Sequence, residues 1–229
     1  MTEILGTYKE NELTPFPFEV AYACMRWALQ TFIQGPIPND VLSLALAKTA
    51  LETGRWTKIH DYNWGNQKYL SSMAGMFTCF GCDEIIGGHR VWFDPTTPCD
   101  PNDPLGMPNT KFSNCTVPPG NPQTRFRAFA NEYDGVDQYV DLIANSKRYS
   151  ASWKVLLTGN ATAWVHALKM AGYFTADEAT YAKGVVSLQK EFLSKINKMP
   201  VTESLSVADC HGICQTIVPQ FQLADLLAA

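Results

Sequence analysis

No apolar run in this chain of 229 residues approaches the roughly 20 residues that span a bilayer. Met1-Thr2-Glu3-Ile4-Leu5 has no basic start and no apolar stretch behind it. The expectation is therefore a chain made in the cytoplasm without a secretory leader. Charge is scarce as well: Asp, Glu, Lys and Arg make up 17% of the residues, against about 25% in an average soluble domain. The net charge of −4 argues against nucleic acid as a partner and against simple electrostatic adhesion to an acidic polymer. His60, His89, His166 and His211 are scattered, and no HExxH pattern joins any of them. There is no Gly-rich phosphate loop, no GxSxG elbow and no cysteine in a recognisable nucleophile setting. Internal repeats and low-complexity tracts are missing too.

Cysteine, by contrast, is plentiful, at seven residues. Cys79, Cys82, Cys99 and Cys115 share one segment, Cys210 and Cys214 flank His211 near the end, and Cys24 stands alone in a helical stretch as a buried small hydrophobe. An odd number leaves at least one thiol unpaired within the chain. The clustered four admit a structural zinc site, with Cys79-x2-Cys82 as one knuckle, or two disulfides. The separation of Cys99 from Cys115 is loose for a second knuckle, and zinc, disulfides and free thiols all stay open.

A length of this size fits one core with appendages. Residues 1–16 read as a lead-in closed by Pro15 and Pro17, and Phe18 to Phe32 as a helix. Gly35-Pro36-Ile37-Pro38 breaks the chain before a helix from Asn39 or Asp40, expected as its N-cap, to Glu52, with Gly54 as its stop. Apolar residues fall on nearly every face of that helix, so it is expected to be buried all round. Glu52 lies in its last turn. An ionised carboxylate there would lose hydration and face the negative end of the helix dipole. Both effects favour the neutral acid, the form that can donate a proton.

Residues 69–124 change character, with glycines, prolines and four cysteines. His89-Arg90-Val91-Trp92-Phe93 reads as a strand after a Gly87-Gly88 turn, and the Pro-rich run 94–122 can sustain neither a helix nor a central strand. From 125 onward the reading is helical, with a capping box at Thr175-Ala176-Asp177-Glu178 starting a helix to about Lys198. The expected fold is mainly α: a domain over 1–200, a small β or irregular lobe inserted at about 69–124 to form a substrate groove, and a tail at 201–229 that can add a short helix.

Four motifs in order then carry a resemblance. Ala50-Leu51-Glu52-Thr53-Gly54 with Tyr62-Asn63-Trp64-Gly65-Asn66-Gln67-Lys68, Arg125-Phe126-Arg127-Ala128-Phe129, Tyr139-Val140-Asp141-Leu142-Ile143 with Lys147-Arg148-Tyr149, and Ala171-Gly172-Tyr173-Phe174-Thr175 with Tyr181-Ala182-Lys183 together resemble the bacterial cell-wall glucosaminidases. These form glycoside hydrolase family 73, of lysozyme-like fold. The resemblance spans roughly residues 40–190. It implies an endo-β-N-acetylglucosaminidase acting on peptidoglycan strands, with Glu52 as general acid and Tyr173 on the groove floor against the sugar or a water. It further implies Tyr62, Asn63, Trp64 and Tyr181 as substrate-binding residues. Asp83-Glu84-Ile85-Ile86-Gly87-Gly88-His89-Arg90-Val91 resembles the family's lobe hairpin, which makes Glu84 the second carboxylate, with Asp83 and Asp94 in competition.

That chemistry requires no cofactor; the four clustered cysteines depart from the family pattern and leave room for structural zinc. Without a leader, a phage-type lysin released onto the cell wall or carried in a virion is the expected setting. The rival enzymes are a muramidase or a lytic transglycosylase of the same fold. The rival outside catalysis is a wall-binding or structural module.

Overall fold

A computed structural model describes residues 6–70, 74–86, 89–93 and 122–199. The chain runs β1 (Thr7–Tyr8), α1 (Phe18–Phe32), α2 (Asn39–Glu52), β2 (Met76–Cys79), β3 (Cys82–Ile86), β4 (His89–Phe93), a 3-10 turn (Pro122–Thr124), β5 (Arg125–Ala128), α3 (Glu132–Asn145), α4 (Ser150–Leu156), α5 (Ala161–Met170) and α6 (Glu178–Ile196). The fold is mainly α, as expected. Asp94, Cys99, Cys115, Cys210, His211, Cys214 and the tail 201–229 lie outside the described residues, as does most of the Pro-rich run.

The architecture centres on α2. Every residue from Val41 to Ala50 is buried, because α1, α4 and above all α6 pack around it. Such burial on all faces follows from the all-round apolar sequence. The start of α2 differs from expectation. Pro38 is the N-cap residue, at φ −62° and ψ 140°, and it supplies no side-chain cap. Its ring presets the entry angle, so Asn39 and Asp40 already lie inside the helix. There Asn39 donates to Asn197 Oδ1 at 2.9 Å, tying the start of α2 to the end of α6. The far end runs as read, with Thr53 closing the helix and Gly54 at φ +57°, a left-handed turn that favours glycine.

Aromatic pairs fill the seams. Phe16 stacks on Trp64 at 5.4 Å, Trp56 on Phe192 at 5.2 Å, and Trp27 meets Tyr133 edge-on at 5.2 Å. Cys24 is fully buried in α1, in keeping with its reading as a small hydrophobe.

The lobe is less of an insertion than the sequence suggests. Its first sheet has the order β1-β2-β5, with β1 parallel and β5 antiparallel to β2. Two of these strands come from outside residues 69–124. The lead-in contributes β1, and Arg125–Ala128, read as the start of the helical part, is the strand β5. In that strand Phe126 and Ala128 are buried, and its backbone satisfies the otherwise open edge of β2. The second sheet is the expected hairpin, in which β3 pairs with β4 in antiparallel register, Asp83 opposite Trp92 and Glu84 opposite Val91.

Three later helices carry side-chain N-caps: Asn131 accepts from Asp134 N, Asn160 from Ala163 N, and Asp177 from Thr180 N. The cap of α6 is thus Asp177 within the expected capping box, two residues later than Thr175. Asn131→Ala should lower the unfolding free energy by about 1 kcal/mol, seen as a lower urea midpoint at unchanged slope.

Candidate active site

Glu52 is the last residue of α2, and the chain must reverse immediately after it. The reversal uses left-handed backbone at Arg55, Trp56, Asp61, Tyr62 and Asn66, conformations that cost energy in residues with side chains and persist only when surroundings over-determine them. Here the surroundings do. Trp56 donates its indole N–H to Thr49 Oγ1 at 3.0 Å, buried Asp61 pairs with Lys9 at 2.9 Å, and Asn63 braces Gln67 O and Arg127 O, both at 3.0 Å. The loop returns so that Asn66 Nδ2 donates to the backbone carbonyl of Glu52 at 3.1 Å. One of the open carbonyls at the helix end is thereby satisfied.

The Glu52 side chain retains 21% exposure and lines a groove of about 590 Å³ between body and lobe, within the usual range for a small-ligand site. Among the described residues the polar contacts to its carboxyl fall on one oxygen. The Tyr181 hydroxyl donates to Oε1 in a short contact, and Lys48 Nζ stands 3.9 Å from the same atom. Burial and the neighbouring Glu52 charge push the Tyr181 phenol well above its ordinary range. Tyr181 therefore stays protonated and can only donate to an ionised Glu52. Its ring lies flat on Phe174, 4.0 Å away and tilted by 6°.

Beneath the carboxyl lies a buried ammonium. Lys48 is wholly inaccessible and donates to the Tyr173 hydroxyl at 2.6 Å, which in turn donates to Gly65 O at 3.0 Å. A side chain on Gly65 would meet Tyr139 at 2.6 Å and the Tyr173 hydroxyl at 2.9 Å, so glycine lets the loop pass close against both tyrosines. Burial pushes Lys48 down to about 8, with the Glu52 charge working the other way. The sign follows: below about pH 8 Lys48 keeps its proton and its charge.

The lobe forms the facing wall. Phe80 stacks between His60 and Phe126, 3.9 Å from each, and Lys68 covers Phe126 at 4.1 Å. Gly81, Cys82, Asp83 and Trp92 complete that wall. Trp92 is 64% exposed and rests on Gly81, where an added Cβ would come within 2.4 Å of the indole. Asp83 forms a short ion pair with Arg90.

Glu52, Tyr173 and Tyr181 are thus brought together. The Tyr173 hydroxyl, expected to meet sugar or water, is instead held between Lys48 and Gly65, although the residue does line the groove. Three expected groove residues are elsewhere. Asn63 and Trp64 are fully buried, the first as a loop brace and the second donating to Glu132 O at 3.2 Å. Tyr62 stacks on Phe16. Their role is loop packing, because the left-handed residues turn this run inward. Glu84 occupies β3 opposite Val91, and its side chain lies outside the described residues. Among the described residues the carboxylates lining the groove are Glu52 and Asp83.

Of the four clustered cysteines, Cys79 and Cys82 are described. Cys82 Sγ accepts from Lys68 Nζ at 3.2 Å and donates to Gln123 O at 3.3 Å. Among the described residues no group of three or more His, Cys, Asp or Glu is placed to hold a metal ion.

The sequence reading missed Lys48, Asn66, Phe174 and Trp92. Lys48 had a signal: it is the one charge between Val41 and Leu51, four residues before Glu52, the spacing that puts two side chains on one helix face. The two tryptophans now separate by experiment. Trp64→Ala should cost about 3–5 kcal/mol in urea unfolding, whereas Trp92→Ala should stay within about 0.5 kcal/mol of the parent.

Residues 39–193 match the profile of the glucosaminidase family, described as mannosyl-glycoprotein endo-β-N-acetylglucosaminidase. No curated protein matches the chain. Among solved structures, a peptidoglycan hydrolase mutant from Sphingomonas sp. A1 is similar, with 21% identity and a TM-score of 0.52 over 77% of this chain and 96% of that one. The glycoside hydrolase domain of FlgJ from Salmonella typhimurium shares 20% identity, with a TM-score of 0.46 over 79% of this chain and 88% of that one. At that identity the likeness to the Sphingomonas hydrolase is one of fold.

Proposed function

This chain belongs to the glucosaminidase family and is a glycoside hydrolase; from that premise we propose that it cleaves β-1,4 bonds of peptidoglycan strands at N-acetylglucosamine, with Glu52 as the general acid. The observation that carries the reading is the Glu52 carboxyl. It is partly exposed in the groove and anchored through Oε1 by Tyr181, which leaves Oε2 to hold the transferable proton. Peptidoglycan as substrate is supported by the fold shared with the Sphingomonas hydrolase. The shape of the site supports it too, since an open groove between two walls admits the middle of a polymer.

The proton on Oε2 passes to the glycosidic oxygen, the bond from that oxygen to the anomeric carbon breaks with its electron pair staying on the oxygen, and Glu52 is left as a carboxylate. Water completes the hydrolysis. Either a carboxylate of β3 takes the proton of the water that attacks the anomeric carbon, or the acetamido oxygen of the sugar bonds to that carbon first. In the second case water then opens the ring so formed, giving its proton to the Glu52 carboxylate. For the β3 group we retain Glu84. Asp83, the neighbouring groove-lining carboxylate, is the alternative. The chemistry runs on carboxyl groups and calls for no cofactor, and any zinc on the cysteines would be structural. Trp92, exposed above Gly81, offers an apolar platform for a sugar face.

Purified peptidoglycan digested with the parent protein should yield new reducing-end N-acetylglucosamine by mass spectrometry. Glu52→Gln should reduce the rate by about 10²–10⁴, the range for a general acid. Anhydromuramic ends would move the reaction to a transglycosylase, reducing-end muramic acid would move it to a muramidase, and no product would leave a binding module. A comparable loss in Glu84→Gln but not Asp83→Asn supports the Glu84 assignment, and the reverse pattern transfers the role to Asp83. Trp92→Ala should raise KM about tenfold, the equivalent of 1.4 kcal/mol of stacking, with kcat held.

A further inference from the structure

Lys48 is a buried ionisable group beside Glu52 that this mechanism leaves unused. An ammonium is costly to bury, and an apolar side chain of similar length would fill the same space without that cost. Its surroundings are built to hold the charge. The Tyr173 hydroxyl accepts from Nζ at 2.6 Å, the Tyr173 ring centroid lies 3.8 Å away and that of Tyr139 4.9 Å, and Glu52 Oε1 stands at 3.9 Å. Ring faces attract a cation, more strongly when it is desolvated. These groups come from three places: Tyr139 from α3, Tyr173 from the turn between α5 and α6, and Glu52 from α2 itself. Burial raises both phenols far above neutrality, so neither supplies a counter-charge. Among the described residues the carboxylate that faces Lys48 is Glu52.

We propose that Lys48 is a positioning cation of the hydrolysis, balancing the negative charge that develops on Glu52 as its proton leaves and holding Tyr173 against the groove floor.

The proposal rests on Glu52 being the general acid. Before transfer Lys48 faces a neutral acid; after transfer it faces a carboxylate at the same distance. The attraction grows along the reaction coordinate, and interactions of that kind accelerate the step rather than merely tighten binding. The Tyr181 hydroxyl, on the same oxygen, acts in the same sense. Because the ammonium is itself closed to water behind Oε1, its attraction to the developing charge is only weakly screened. Lys48 remains charged at pH 7, as its value of about 8 requires, and the carboxyl is open to the groove at 21% exposure. The ammonium itself touches no solvent and no substrate.

The same charge has a second, separable consequence. Lys48 itself holds its proton only up to about pH 8, so activity that depends on its charge falls away on the alkaline side as that proton is lost. Without it the limb should lie higher. A lysine that served only to fill space would leave the limb where it is.

The test compares pH profiles of kcat and KM on purified peptidoglycan for the parent, Lys48→Met and Lys48→Gln, with Glu52→Gln as reference. Lys48→Met should lower kcat by about 100-fold at the optimum, comparable to loss of one preorganised charge-stabilising donor. KM should stay within about threefold, and the loss of activity near pH 8 that follows deprotonation of Lys48 should be absent, so that the alkaline limb moves up. Lys48→Gln keeps a donor for Tyr173 without the charge, and should show the same limb shift. The folding control is the thermal midpoint at pH 7, which should hold or rise in Lys48→Met because a buried charge has been removed. Should Lys48→Met fail to fold, Lys48→Gln carries the test alone. Parental kcat and an unmoved limb in either folded variant would overturn the proposal. An inactive parent, or a fully active Glu52→Gln, would instead remove the reading of Glu52 on which it rests.

Discussion

The burial of α2 on every side is the constraint on which the rest of this structure depends. A helix whose residues from Val41 to Ala50 are all buried satisfies its backbone internally along its length, but not at its ends. The first end is closed by Pro38 and by the contact of Asn39 with α6. The second must emerge from the core, and it emerges at the groove. Glu52 is therefore placed by the length of a buried helix, and the loop that follows is shaped by the need to satisfy that helix end. Asn66 donates to the Glu52 carbonyl for this reason, and the strained residues from Arg55 to Asn66 are held by the anchors that Trp56, Asp61 and Asn63 provide.

The same burial explains the electrostatics. Within a helix that admits no water, a single ammonium needs partners from the surrounding elements. Lys48 finds two phenolic rings, one hydroxyl and one carboxyl. Tyr173 relays the contact to Gly65, so the loop after α2, the turn before α6 and the core of α2 are joined by one chain of polar contacts. Tyr181 adds α6 itself. The groove wall on the body side is a polar assembly whose parts come from distant positions in the chain. The lobe wall is largely aromatic, with the stacked His60, Phe80 and Phe126 and the exposed Trp92. A polar floor for bond cleavage beside apolar faces for sugar rings suits a glycan strand.

The lobe shows where local pattern and assembled structure part. The hairpin β3–β4 was legible because Gly87-Gly88 and the residues of His89–Phe93 are local signals. The sheet β1-β2-β5 was not, because its edge strands come from a segment that reads as a lead-in and from one that reads as the start of the helical part. Both are short, and such strands are stabilised by the partner they meet rather than by their own composition. Likewise Tyr62, Asn63 and Trp64 have the chemistry of sugar-binding residues, but three side chains in a reversing loop cannot all face the groove. Trp64 goes to the core against Phe16, where its large apolar surface is best buried, and Asn63 spends its amide on backbone groups that would otherwise be unpaired.

What the sequence determined by itself was the set of features that depend on near neighbours. The helix of α2, with its stop at Gly54 and Glu52 at its end, follows from an all-round apolar run between Pro38 and Gly54, α1 follows from periodicity, and α6 from its capping box. The family follows from four motifs kept in order. What only the tertiary structure decided was everything that depends on which distant groups share a space. Lys48 is an ordinary helix residue in one dimension, and it becomes a buried cation only when Tyr139 and Tyr173 close over it. Trp92 becomes part of the groove wall, and Trp64 does not, because of how two layers fold onto each other. Propensity and capping energies act over a few residues. The energy of burying a charge or a ring is set by the dielectric and the contacts of the assembled core, which no stretch of the chain possesses alone.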